Sequence, residues 1–266
     1  MTTLFLVSHC LGVGGAEKNI RYLVEYLASQ QWKIYIFCIA SSPDTLTFSD
    51  PNIHIINSSY SASGICKVAM LVLSIVRNVR IFKPDILLSF LAIPSIVSIL
   101  ANIFLNIPHI ASERSNPILL PGQSRFWQLL RYLLYSRLNC LVVQSAVLRS
   151  MYADILLYPP PINVIKNAIT LPVNNQNLNR TFPFSSVKFL YVGRIEYEKG
   201  IDLLMQIFPE VYTRLFRQGV LSELVIVGSG SMQSHIEGYL LNSKYFDCKN
   251  SIKFYNEVND VDQYYL

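Results

Sequence analysis

Phe189-Leu190-Tyr191-Val192-Gly193-Arg194-Ile195-Glu196-Tyr197-Glu198-Lys199-Gly200-Ile201-Asp202 joins two kinds of apolar spacing. Its first four residues are strand formers. From Ile201 onward Leu204, Met205, Phe208, Val211, Tyr212 and Leu215 recur at helical intervals, so the spacing predicts a strand that delivers Gly193 and Arg194 and a helix that begins just past Lys199. Arg194 then stands at the carboxyl end of a strand, and Lys199 lies beside the unpaired N–H groups of a helix start. Two cations and free amides suit a doubly charged phosphate. The alternative is a surface turn whose Arg and Lys only solvate a helix end.

Working outward, the same alternation recurs along the chain. Leu4–Val7 reads as a buried strand, and Ile20, Leu23, Val24 and Leu27 stripe the helix after it. Between them Gly12-Val13-Gly14-Gly15-Ala16-Glu17 allows a tight turn and close approach of a ligand to backbone N–H groups. As a dinucleotide fingerprint it fails, because Glu17 takes the third glycine's place and the strand Ile34–Ile39 runs into Ala-Ser-Ser-Pro rather than an acid. The stretch therefore argues against a nicotinamide enzyme. Ile53–Ile56 is a short strand, and Ile65, Val68, Ala69, Val72, Ile75, Val76 and Val79 mark a core helix that ends in Arg77, Arg80 and Lys83.

Residues 86–107 carry no charge and are long enough to span a bilayer. Pro94, three serines and two asparagines interrupt them, so a buried strand Ile86–Phe90 and a buried helix Ser95–Leu105 are expected instead. The strand His109-Ile110-Ala111 ends in Ser112-Glu113-Arg114-Ser115-Asn116-Pro117, with a carboxylate and a guanidinium where open α/β sheets bind ligands. A strand-end ion pair or a helix cap explains Glu113 equally well. Arg125–Leu138 predicts an apolar helix with interspersed arginines. Core packing, with the arginines snorkelling to water, is the first reading and peripheral contact with an anionic bilayer the second.

Leu224-Val225-Ile226-Val227 runs into Gly228-Ser229-Gly230-Ser231, and Met232, Ile236, Tyr239 and Leu240 follow at helical spacing. The strand Ile252–Tyr255 leads to Asn256-Glu257-Val258. Strands and helices thus alternate throughout, which predicts α/β architecture with parallel sheets in two Rossmann-like lobes. Residues 1–170 form the first, the polar Pro- and Asn-rich stretch 171–186 a linker, and 187–266 the second.

Composition narrows the function classes. The 266 residues, 52% of them hydrophobic, exceed one typical domain. Residues 1–170 carry 13 Lys and Arg against 7 Asp and Glu, net +6, whereas 171–266 carry 9 against 10, net −1. Basic character in the first lobe fits an anionic membrane surface or lipid-linked acceptor; nucleic acid ranks last, since no recognised binding module accompanies the charge. Five scattered cysteines, Cys10, Cys38, Cys66, Cys140 and Cys248, read as reduced cytosolic thiols. The four histidines show no metal-ligand spacing. Met-Thr-Thr leads straight into a strand, so no secretory leader is visible.

The motifs together resemble retaining glycosyltransferases of family 4, in the bacterial group that builds surface polysaccharides or lipid-linked oligosaccharides. Val-Gly-Arg followed by Lys199-Gly200 resembles its donor-phosphate segment, Gly14-Gly15-Ala16-Glu17 its opening loop, Ser-Glu-Arg-x-Asn-Pro its acceptor-side segment, and Val-Gly-x-Gly at 227–230 its nucleotide turn. Leu141–Ser145 and Val164–Ile169 are similar to two further family segments, with Ala168 where glycine is usual. The resemblance implies a GT-B fold with a nucleotide-sugar between its lobes, transferring a hexose or N-acetylhexosamine with retention to a hydroxyl on a glycan or lipid-linked glycan. It implies a nucleoside-diphosphate sugar donor, UDP-sugar foremost, with no metal and no further cofactor. Arg194 and Lys199 would hold the diphosphate, Glu113 would face the reacting sugar, and Glu17 and Arg114 would lie on the acceptor side. Gly14, Gly15, Gly193, Gly228 and Gly230, with Glu257 and Val258 at the base, would contact the donor. The implied place of action is the cytoplasm, at the inner membrane face.

The chain ends at Leu266 in an apolar helical opening, before the family's paired glutamates. A truncated copy of the enzyme, with an incomplete second lobe and poor or no turnover, is the expectation. A nucleotide-sugar epimerase of the same fold and a non-catalytic nucleotide-binding or interaction module are the alternatives.

Overall fold

Alternation along the first strand decides where the core lies. In β1 (Thr3–Ser8) Leu4 and Leu6 enter one apolar cluster while Phe5 and Val7 enter another on the opposite face. A strand buried on both faces reads as a continuous apolar run, as parallel sheets require. The computed structural model describes residues 1–12, 14–40, 46–58, 64–117, 125–168, 185–240 and 247–256.

Two compact units divide the chain, Met1–Ile169 and Thr170–Leu266. In the first, α1 (Gly15–Ser29), β2 (Lys33–Cys38), β3 (Ile53–Asn57), α2 (Gly64–Phe82), β4 (Ile86–Phe90), α3 (Ala92–Asn102), β5 (His109–Ser112), α4 (Arg125–Leu134), β6 (Cys140–Val143), α5 (Ala146–Ile155) and β7 (Ile162–Val164) follow β1. The strands form a parallel sheet in the order β3-β2-β1-β4-β5-β6-β7. Ile20 and Val24 of α1 cover one face; Leu71, Ile75 and Val79 of α2, with Val97 of α3, cover the other. The order reverses between β1 and β4, and ligands of open α/β sheets bind outside the carboxyl ends of the strands at such a reversal.

The uncharged stretch 86–107 is a strand and a helix. Helix α3 starts at Ala92, three residues before the expected Ser95, which puts Pro94 in the first turn where its missing N–H goes unused. Among the described residues no helix is long and apolar enough to cross a membrane. Helix α4 stops at Leu134 and a 3-10 turn, Tyr135–Arg137, replaces its expected last turn.

The second unit contains β8 (Ser186–Val192), α6 (Ile201–Arg217), β9 (Leu221–Val227), α7 (Gln233–Tyr239) and β10 (Ile252–Tyr255). Its three described strands are parallel in the order β10-β9-β8. Ile201, Met205 and Phe208 of α6 and Ile236 of α7 pack with Leu224 and Ile226 of β9 in a separate core. The linker expected at 171–186 falls almost wholly outside the described residues.

Candidate functional site

In the second unit the site is two turns laid backbone to backbone. The Gly193 N–H donates to the Val227 carbonyl at 3.1 Å, the Ile195 N–H to Ser229 at 2.9 Å, and the Met232 N–H to Ile195 at 3.1 Å. A Cβ on Gly228 would lie 2.0 Å from the Gly193 carbonyl oxygen, and one on Gly230 would lie 2.3 Å from that of Ile195. Both glycines are therefore required by contact with the preceding turn. Donor contact was the sequence expectation for Gly193, Gly228 and Gly230, and the backbone supplies an independent reason for the last two.

Arg194 projects from the end of β8 into solvent, where its Nη2 meets Glu198 Oε1 at 2.9 Å. The Tyr191 hydroxyl donates to the Arg194 carbonyl at 2.8 Å and steadies the turn. A 3-10 turn, Tyr197–Lys199, then leads to Gly200 at φ +67°, a left-handed conformation that glycine adopts without strain. This turn ends the short helix and opens α6 in one residue. Lys199 is exposed and makes no ion pair among the described residues, and no side chain caps the start of α6. Two exposed cations and an uncapped helix start within eight residues can take an anion.

Sequence reading missed Glu196 and Ser231. Glu196 Oε1 accepts the Ser231 N–H at 2.9 Å and Oε2 accepts the Ser231 hydroxyl at 2.6 Å. Those two hydrogen bonds hold the Glu196 carboxyl below its ordinary range. The partners are 35 positions apart, so no local pattern announces them. Glu257 and Val258, the residues expected at the base, lie outside the described residues.

In the first unit, segments distant in sequence meet at the carboxyl edge of the sheet. Gly14 precedes α1 in extended conformation, and the Glu17 carboxylate folds back over it. Gly15 has open space around it. Arg114, past the end of β5, donates from Nε to the Ser112 hydroxyl at 3.1 Å and from Nη1 to the Asn167 side-chain carbonyl, with its guanidinium 5.2 Å from the Phe90 ring centre. Asn19 of α1 accepts the Ala168 N–H at 3.2 Å. Asn19 and Asn167 thus tie the segment after β7 to α1 and to Arg114, a role that sequence reading did not assign.

Glu113 requires a correction. It is fully buried, its carboxylate accepts the Tyr135 hydroxyl, and Arg131 Nε stands 3.9 Å away. Burial raises its carboxyl pKa, opposed by the charge of Arg131 and by hydrogen bonds from Tyr135 and Tyr152. A carboxylate packed inside the unit does not face a sugar; the ion-pair alternative describes it. Arg131 departs from expectation too. It is buried and turned inward, whereas Arg125 and Arg137 reach solvent. On β5, His109 is buried with Nε2 2.9 Å from the Ser89 hydroxyl, and burial pushes its pKa down to about 3. Among the described residues no group of three His, Cys, Asp or Glu is placed to hold a metal ion.

Comparison with known proteins follows the two-unit division. Residues 13–171 match the family model described as Glycosyltransferase Family 4, and residues 186–266 match that of Glycosyl transferases group 1. No curated protein sequence matches the chain. Among solved structures, the sucrose-phosphate synthase from Thermosynechococcus elongatus is similar at 15% identity and TM-score 0.78, over 97% of this chain and 71% of that one. A lipopolysaccharide outer core galactosyltransferase, WaaB, is similar at 14% identity and TM-score 0.68, over 99% and 70%. Anabaena HepE in complex with UDP and glucose is similar at 16% and 0.69, over 99% and 71%. At these identities the likeness establishes the fold: two Rossmann-like units of the GT-B type.

Proposed function

Because this chain belongs to glycosyltransferase family 4, we propose that it moves a hexose or N-acetylhexosamine from a nucleoside-diphosphate sugar to a hydroxyl acceptor, with retention at the anomeric carbon. UDP-sugar is the donor of first choice, since the structural neighbour HepE holds UDP and glucose. The observation that carries the reading is that Arg194 and Lys199 are both exposed on one turn and that Lys199 directly precedes the uncapped start of α6. When the bond between the anomeric carbon and the phosphate oxygen breaks, negative charge gathers on the departing diphosphate. A guanidinium, an ammonium and a helix N-terminus aimed at that charge stabilise it without a metal ion.

The first unit takes the acceptor, a glycan or lipid-linked glycan, at its carboxyl edge, with Glu17 at the start of α1 and Arg114 past the end of β5 as the polar groups offered to it. Glu113 acts from inside by fixing the segment that carries Arg114. Exposed Phe126, Leu129 and Leu133 of α4, with Arg125, support a peripheral contact with the inner face of an anionic membrane, where a lipid-linked acceptor resides. Incubation with UDP-glucose, UDP-galactose and UDP-N-acetylhexosamines, with a lipid-linked sugar as acceptor, tests the proposal. A glycosylated product with released UDP is expected. Free sugar or an epimerised nucleotide-sugar as the only product would refute it.

A further inference from the structure

Two groups of the second unit that can hold an anion, Ser231 and Arg194, are engaged by the chain's own carboxylates. Glu196 takes the amide and the hydroxyl of Ser231 at 2.9 and 2.6 Å, and Glu198 takes the guanidinium of Arg194 at 2.9 Å. An amide N–H, a hydroxyl and a guanidinium are the donors a phosphate engages. The Glu196 contact is not needed to hold the two turns together, because three backbone hydrogen bonds, from Gly193, Ile195 and Met232, already do so. The Ser231 donors are thus fixed by the backbone, while the carboxylate on them belongs to a side chain that can rotate away.

We propose that Glu196 is a specificity-determining residue of the donor site, its carboxylate standing in for a phosphate group at Ser231 until an incoming diphosphate displaces it. The inference rests on the donor reading given above. A ligand that uses Ser231 binds only to the fraction of molecules in which Glu196 has swung out, which weakens its apparent affinity by that fraction. A ligand without phosphate is indifferent to the carboxylate. Glu196 therefore sets a threshold that only a strongly charged group passes.

Calorimetric titration of the chain with inorganic pyrophosphate, UDP and uridine tests this, using Glu196→Ala, Glu196→Gln, Ser231→Ala and the Glu196→Ala/Ser231→Ala double variant. Removing the carboxylate is expected to tighten pyrophosphate binding about tenfold, the scale of a charge-assisted hydrogen bond. Uridine affinity is expected to stay constant, and the gain to shrink when Ser231 is also alanine, because the hydroxyl is lost while the residue 231 amide remains a donor. Glu196→Gln keeps the side chain's size and one acceptor oxygen, so it serves where alanine lowers the melting temperature. Unchanged or weaker pyrophosphate binding in both Glu196 variants, or a gain undiminished by loss of the Ser231 hydroxyl, overturns the inference. If pyrophosphate shows the expected gain while UDP fails to bind any form, the donor reading falls and with it the role in donor choice, leaving Glu196 as a carboxylate that a diphosphate displaces; if pyrophosphate binds no form, the inference falls.

Discussion

Arg194 is exposed and, among the described residues, its ion-pair partner is Glu198 four residues on, and an exposed pair of that kind adds little to stability. Its value lies in charge offered to a ligand. Arg194→Ala is therefore expected to leave the melting temperature nearly unchanged and to lower the rate of sugar transfer by about 100- to 1,000-fold, the usual effect of removing one preorganised donor. Lys199→Ala should behave alike in the same assay. Glu113 presents the opposite case. Glu113→Ala strands buried Arg131 without its countercharge, at a cost of about 3–5 kcal/mol in urea unfolding. Buried His109 adds a pH dependence. Its pKa of about 3 lies below the ordinary 6.5, so between those values the unfolded chain binds more protons and stability falls as pH falls. The slope approaches about 1.4 kcal/mol per pH unit in that window. Urea unfolding at pH 7 and pH 5 should show it, and His109→Gln should flatten it.

Among the elements, the interlocked turns after β8 and β9 make the sharpest test. Gly228→Ala drives a methyl group into the Gly193 carbonyl, and overpacking of this kind costs about 1–3 kcal/mol. Loss of stability in the second unit by denaturant titration is the expected result. Gly15→Ala contrasts with it. The site is open and lies in the first turn of α1, so stability should hold or rise by up to about 1 kcal/mol, and a fall in transfer rate alone would place Gly15 against a substrate. Helix α4 presents Phe126, Leu129 and Leu133 to solvent while Trp127, Leu130 and Leu134 pack inward. Its amphipathic pattern thus serves the core and leaves a second apolar strip. Triple replacement of the exposed residues by serine should abolish sedimentation with anionic liposomes at low salt and leave the fold intact.

Across the whole molecule, charge and core divide the same way. The first 170 residues carry net +6 and the remainder net −1, and each unit has its own apolar clusters. Attraction to an anionic surface should therefore reside in the first unit and weaken steeply as salt rises from 20 to 300 mM, on the order of a Debye length shortening from tens of ångströms to a few. UDP at about 100 times its dissociation constant should stabilise the second unit by about 2.7 kcal/mol, seen as slowed amide hydrogen exchange at residues 193–231.

The order of strands and helices, the parallel sheets, the strand, turn and helix start around residues 193–200 and the family itself were legible in the sequence. Each depends on spacing within a few residues, and apolar periodicity and glycine placement record such spacing directly. The burial of Glu113 against Arg131, the inward turn of Arg131 on a helix that reads as amphipathic, the contact of Gly228 with Gly193 and the seat of Glu196 on Ser231 were not. Each joins residues 18 to 35 positions apart, and a carboxylate written after a strand looks the same whether it faces a substrate or a buried guanidinium. Only the packed chain, where desolvation must be offset by a partner in reach, decides which.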